Sequence, residues 1–237
     1  MHVFFQPDLS QTEIQLSEEE SKHCIRVLRM KIGDTVHLAD GKGTEALASI
    51  IDDNAKRCRL SVVSRVLHSS FFPYTLHLIV APTKNFDRME WLIEKATEVG
   101  VSSITFMETE NSERSKVNME RCEKIAISAM KQSKQWHLPI INTLQSFNDC
   151  LQQIPATSNK LIAWCEHPET ELMSSKLISM PNNDFTIMIG PEGDFTATEI
   201  NQALAQGFVP VSLGRSILRT ETAALYACMS VKTLITQ

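Results

Sequence analysis

The residues best equipped for chemistry lie late in the chain, in the stretch FTIMIGPEGDFTATEINQALAQGFVPVSLGRSILRTETAA that begins at Phe185. Gly190-Pro191-Glu192-Gly193-Asp194 follows a continuous apolar run of strand length, Phe185 to Ile189. Two glycines around a proline make a turn whose backbone can come close to a bound molecule, because no Cβ stands in the way. Thr196 and Glu199 then form a capping box, Ile200, Ala203 and Leu204 supply the stripe of a short helix, and Gly207 stops it. A second apolar run, Phe208 to Leu213, leads into Gly214-Arg215-Ser216-Ile217-Leu218-Arg219-Thr220-Glu221-Thr222. Charges beside a core segment are costly unless paired. Arg219 and Glu221, set between an apolar strand and an apolar final helix, therefore ask for a partner or a substrate.

The elements that must position these loops alternate from Thr75 onward. Leu76 to Val80 reads as a strand, and Asp87 to Val99 as a helix with Asp87 and Glu90 at capping positions and Gly100 as its stop. Ser103 to Met107 is the next strand. Asn118 opens a helix that buries Cys122, Ile125, Ala126, Ala129 and Met130 and turns Arg121, Lys124, Lys131 and Lys134 largely toward solvent. A shorter helix, Ser146 to Ile154, and a strand, Leu161 to Trp164, follow. Such alternation predicts a mostly parallel sheet covered on both faces, with ligands at the carboxyl ends of its strands, where both candidate loops fall. Residues 1 to 70 differ: short strands, a hairpin turn at Asp40-Gly41-Lys42-Gly43, and a basic helix from Glu18 to Met30 point to a small β-barrel-like domain. Leu67 to Pro73 reads as the linker, giving domains at 1–70 and 74–237.

Composition narrows the function classes. A chain of 237 residues with 43% hydrophobic and 22% charged residues is an ordinary globular protein. It has no apolar run of membrane-spanning length and no signal-peptide core, which places it in the cytoplasm. Six scattered cysteines without C-x-x-C spacing, and seven histidines with no metal-ligand spacing, argue against a disulfide scaffold and against a metal site. Neither a dinucleotide fingerprint nor a P-loop is present. The net charge of −5 conceals a local polarity: residues 21 to 31 hold four basic side chains and no acid, and 111 to 137 hold six basic against three acidic. Basic patches on an acidic protein suit a nucleic-acid contact confined to one face.

IGPEGDF and LGRSILRTETAA, preceded by HCIRVLRMKIGD, KNFDRMEWLIEKATEVGV and ERSKVNMERCEKIAISAMKQS, resemble the RsmE family of ribosomal RNA methyltransferases, over nearly the whole chain. The resemblance implies a PUA-like RNA-binding barrel followed by a SPOUT-type α/β domain with a trefoil knot, working as a homodimer. It implies methylation of N3 of a uridine in the 16S rRNA of the small ribosomal subunit, with S-adenosylmethionine as cofactor. The cofactor loops then match the segment after Trp164, Gly190, Pro191, Glu192 and Gly193, and Leu213, Gly214, Leu218, Arg219 and Thr220. Asp194 departs from the commoner family glycine, although Asp tolerates positive φ better than most residues.

Under that resemblance Arg219 is expected to hold a uracil oxygen as negative charge develops on it, and Glu221 to orient Arg219 or act as base. The two could instead form a buried pair that only fixes the loop. Lys22, His23, Arg26 and Arg29, with Arg114, Lys116, Lys131 and Lys134, are the candidates for the RNA backbone. The apolar surface of the final helix, Glu221 to Leu234, is expected partly to meet a second subunit. Competing readings are a ribose 2′-O-methyltransferase of the SPOUT class, a catalytically silent RNA-binding protein, and a metabolic enzyme using the glycine turn as an anion nest.

Overall fold

The structure is a computed structural model that describes residues 1–113, 116–165 and 170–235. It divides into two compact units, one formed by Met1–Phe71 with Ile127–Leu138, the other by Phe72–Ala126 with Pro139–Gln237.

In the first unit the strands β1 (Val3–Phe5), β2 (Glu13–Gln15), β3 (Thr35–Ala39), β4 (Thr44–Asp52) and β5 (Arg59–Leu67) form one sheet in the order β1-β3-β4-β5-β2. Only β1 and β3 pair in parallel. The alternation of β4 sends Ala46, Ala48 and Ile50 into a core with Phe4, Val36, Leu38 and Leu60. The expected helix from Glu18 to Met30 is shorter: α1 (Glu18–Lys22) gives way to a π turn over His23–Val27, and Arg29 adopts φ 57°. Cys24, Ile25 and Leu28 reach the core from this stretch, and Met30 reaches it beyond the reversal at Arg29. The segment 127–138 joins this unit through backbone bonds from Gly43 to the Trp136 carbonyl and from Leu138 to the Gly41 carbonyl. Trp136 also stacks on His68, and Glu45 receives both His37 Nδ1 and His68 Nε2 at 2.6 Å.

The second unit holds a six-stranded sheet, all of whose pairings are parallel. Its strands are β6 (Thr75–Val80), β7 (Ser103–Glu108), β8 (Ile140–Ser146), β9 (Asn159–Ala163), β10 (Asp184–Ile189) and β11 (Val209–Val211), in the order β11-β9-β10-β6-β7-β8. Its helices are α2 (Asp87–Val99), α3 (Met119–Gln132, which continues into the first unit), α4 (Phe147–Gln152), α5 (Met173–Ile178), α6 (Ala197–Ala205) and α7 (Thr220–Ile235). The limits of α2 fall where the sequence predicts them, and Gly100 closes it at φ 95°. A Cβ at Gly100 would lie 2.1 Å from the Phe72 ring, so glycine is required there twice over. The expected Asp87 and Glu90 caps do not form. Asn85 Oδ1 accepts from the Asp87 amide, and Glu90 is taken by Arg121 instead.

β6 is flanked by β7 on one side and β10 on the other, so chain order reverses between β6 and β10. Open parallel sheets bind ligands at the carboxyl ends of strands beside such a reversal. α7 lies behind this point, packed against α2, α5, β6 and β10. Its Ala224, Ala227, Cys228 and Val231 are buried within the chain itself, the part of the apolar stripe that packs in the core; Tyr226 and Met229 are the exposed apolar residues. Among the described residues no helix is long and apolar enough to cross a membrane.

Candidate functional site

The turn after β10 is held from three directions. Its own closure is the amide of Asp194 on the Pro191 carbonyl at 3.0 Å. From the end of β7, Asn111 Nδ2 donates to the carbonyls of Gly193 and Asp194, both at 3.1 Å. From the end of β9, the Cys165 amide donates to Asp194 Oδ2 at 3.2 Å, while Asp194 Oδ1 accepts from the Phe195 amide at 2.8 Å. From the start of α7, Thr220 Oγ1 donates to the Gly190 carbonyl at 3.1 Å.

Positive φ in this turn falls on Asp194, at 58°, and on neither glycine. At Gly190 and Gly193 the closeness is one of space instead, and a side chain would have to displace its neighbour slightly. A Cβ at Gly190 would lie 3.0 Å from the Phe195 ring, and one at Gly193 3.2 Å from Asn111. Pro191 is buried, while Glu192 and Gly193 are exposed, so the rim of the turn is open to a ligand. The capping box forms as predicted, with Glu199 Oε2 on the Thr196 amide at 2.8 Å. Glu199 Oε1 also accepts from the Glu110 amide at 2.9 Å, fastening α6 to the loop after β7.

The second loop is less constrained. Leu213 and Leu218 are half-buried, Gly214, Arg215, Ser216 and Arg219 are exposed, and Ile217 is 86% exposed. Among the described residues the hydrogen bonds of Leu213 to Leu218 join only Gly214 and Ser212. No Arg219–Glu221 pair forms, which corrects the expectation that one orients the other. Glu221 is buried in the first turn of α7, with Oε1 3.8 Å from Arg88 Nε. Glu221 Oε2 is buried without a hydrogen-bond partner among the described residues. Arg88, from the first turn of α2, was missed by sequence reasoning; it lies inside a quoted motif, but nothing local ties it to a glutamate so distant in the chain.

The basic candidates separate as well. In the first unit Lys22 pairs with Glu18 across one helical turn, and His23, Arg26 and Arg29 are exposed. Lys131 is 21% exposed and bound to Glu20 at 2.6 Å, so it does not face solvent as expected, whereas Lys134 is exposed. Lys116 is exposed in the second unit, and Arg114 lies outside the described residues. Of the six cysteines only Cys165, at the site, is exposed. Among the described residues no group of three or more His, Cys, Asp or Glu could hold a metal ion.

A family profile described as an RNA methyltransferase domain matches residues 71–232, and one described as an RNA methyltransferase PUA domain matches residues 16–63. Among proteins of known name, the chain is 30% identical to ribosomal RNA small subunit methyltransferase E of Buchnera aphidicola from Acyrthosiphon pisum, over 98% of this chain and 92% of the relative. It is 33% identical to the protein of the same name from Rickettsia conorii, over 94% and 91%. Among solved structures, a probable rRNA methyltransferase from Porphyromonas gingivalis superposes with a TM-score of 0.92 at 38% identity, over 100% of this chain and 99% of that one. Ribosomal RNA small subunit methyltransferase E from Neisseria gonorrhoeae, solved bound to S-adenosylmethionine, gives 0.87 at 28% identity, over 99% and 98%.

Proposed function

This chain belongs to the family of RNA methyltransferases that joins a PUA domain to a methyltransferase domain, and from that premise we propose that it methylates N3 of a uridine in the 16S rRNA of the small ribosomal subunit. The methyl donor in this reading is S-adenosylmethionine, and the place of action is the cytoplasm. The observation that carries the reading is the meeting of the two loops at the reversal of the parallel sheet, fastened by Thr220 Oγ1 on the Gly190 carbonyl.

The residues present fit the cofactor. The rim at Glu192 and Gly193 is open, and the turn behind it is fixed from three sides. Gly190, Pro191, Glu192 and Gly193 would line one side, and Leu213, Gly214, Leu218, Arg219 and Thr220 the other. When bound, S-adenosylmethionine supplies a methyl group made electrophilic by its sulfonium. The chain must then expose the N3 lone pair of uracil, which bears a proton, and stabilise the charge that appears on O2 and O4. Arg219, exposed just before α7, would donate to one of those oxygens in this reading. The base reaches such a pocket only when unpaired or flipped. His23, Arg26, Arg29 and Lys134 of the first unit then serve the phosphates, with Lys22, Lys116 and Arg114 as further contacts and Lys131 acting through its bond to Glu20. In this reading residues 1–70, joined by 127–138, form the RNA-binding part, and the rest of 74–237 the transferase. The knot and the second copy belong to the same reading. Exposed Tyr226 and Met229 support an α7 contact between copies.

Labelled methyl transfer from S-adenosylmethionine to small-subunit particles made without the modification, followed by nucleoside mass spectrometry, tests the proposal. 3-Methyluridine is the expected product; a 2′-O-methyl nucleoside or no transfer overturns it. Arg219→Ala is expected to lower turnover by about 100-fold or more and to leave cofactor affinity, measured by calorimetry, within about tenfold.

A further inference from the structure

Glu221 is the most unusual side chain at the sheet reversal. Its side chain is only 10% exposed, one carboxylate oxygen has a guanidinium 3.8 Å away, and the other has no donor among the described residues. A buried carboxylate oxygen left without a donor is destabilising, and in a folded protein such an orphan calls for an explanation. Here the explanation lies in its neighbours. The preceding residue, Thr220, holds the Gly190 turn, so Glu221 stands in the first turn of α7 one residue from the proposed site. Arg88 enters from α2, directly after the loop that follows β6, and its side chain is 35% exposed. At 3.8 Å the contact with Glu221 is an ion pair too long for a hydrogen bond, so the Arg88 N–H groups stay available to a second acceptor.

The pair thus offers an acceptor and a donor side by side. The imide edge of uracil offers their complement, an N3–H donor between the O2 and O4 acceptors. The Watson–Crick edge of cytosine has no N3 proton, and its exocyclic amino group would face the guanidinium. We propose that Arg88 and Glu221 read the imide edge, and that Glu221 Oε2 takes the N3 proton; this rests on the uridine-N3 reading above. The step balances. The N3–H bond breaks and its proton passes to Glu221 Oε2. The N3 electron pair forms the bond to the methyl carbon, while the carbon–sulfur bond breaks and its electrons remain on sulfur. A carboxylate and a sulfonium, each charged, become a neutral acid and a neutral thioether, and the acid later returns its proton to water. Arg88 holds Glu221 through Oε1 and donates to one imide oxygen, leaving the other to Arg219.

The test uses the full chain with unmodified small-subunit particles, and oligouridine and oligocytidine as binding probes in the presence of S-adenosylhomocysteine. Glu221→Gln, nearly the same shape, is expected to keep cofactor affinity within about threefold. Its kcat should fall by about 1,000-fold with KM for the particles little changed. Arg88→Gln should lose about 100-fold in kcat and level the preference for oligouridine over oligocytidine, and Arg88→Lys should recover part of the rate but not the preference. Glu221→Gln turnover within fivefold of the unaltered chain, or an oligouridine preference unmoved by Arg88→Gln, overturns the assignment. Should Glu221→Gln fail to fold, the Arg88 variants decide alone. The unaltered chain run beside them separates the two levels: 3-methyluridine from it with active variants removes only this inference, and any other product removes the functional reading as well.

Discussion

The turn Gly190–Asp194 and the segment Leu213–Leu218 leave the same end of one parallel sheet, yet they are held in opposite ways. The first receives side-chain or backbone bonds from β7, β9 and α7. Among the described residues the second is bonded only to Ser212 just before it, and it carries Ile217 almost fully in solvent. A loop with its backbone groups already satisfied presents a fixed surface, and a loop without such bonds can adjust to what it meets. The site is therefore half preorganised, with a rigid floor after β10 and a compliant wall after β11.

Asp194 is where this contrast is easiest to break. Asp194→Val places a β-branched residue at φ 58° and removes both carboxylate bonds, so a loss of about 3 kcal/mol in denaturant unfolding is expected. Asp194→Asn, which tolerates that backbone region and keeps an acceptor, should lose under about 1 kcal/mol. Equal losses for the two would mean that the turn is not fixed by this residue. Thr220→Val cuts the single bond between floor and wall. We expect about 1 kcal/mol less stability and a similar loss of cofactor affinity, roughly fivefold by calorimetry. An unchanged affinity would show the two loops acting separately. Ile217→Ala should alter stability by less than about 0.5 kcal/mol, as for any exposed side chain that packs on nothing. A larger loss would remove the distinction between the loops.

The rigid half was more legible in the sequence than the contacts across the site. Asp87 to Val99 and the Thr196–Glu199 box are local patterns: an apolar stripe, a stopping glycine and a cap three residues apart lie within one window. β8 escaped because it is an edge strand with no fully buried residue, so its alternation leaves no hydrophobic trace. α5 escaped because six residues with only Met173 and Leu177 buried cannot be told from a loop. The solvent-facing reading of Lys131 failed for a different reason: its spacing on α3 is right, but Glu20 of α1 is its neighbour only after folding. The sequence asks for company for both Arg219 and Glu221; Glu221 is buried beside Arg88, and Arg219 is exposed. That the company of Glu221 is Arg88 follows from α2 packing on α7, which no periodicity encodes.

The single exposed cysteine gives the molecule a built-in reporter. Burial pushes the thiols of Cys122 up to about 11 and of Cys150 and Cys228 up to about 12, and Cys24 and Cys58 are enclosed in the first unit's core. A maleimide dye at neutral pH therefore meets its thiolate partner at Cys165 and nowhere else on the native protein. The backbone of that same residue is bonded to Asp194. A fluorophore attached to the natural sequence, with no engineered cysteine, would sit on the strap that steadies the rigid floor and register its movements as changes in anisotropy.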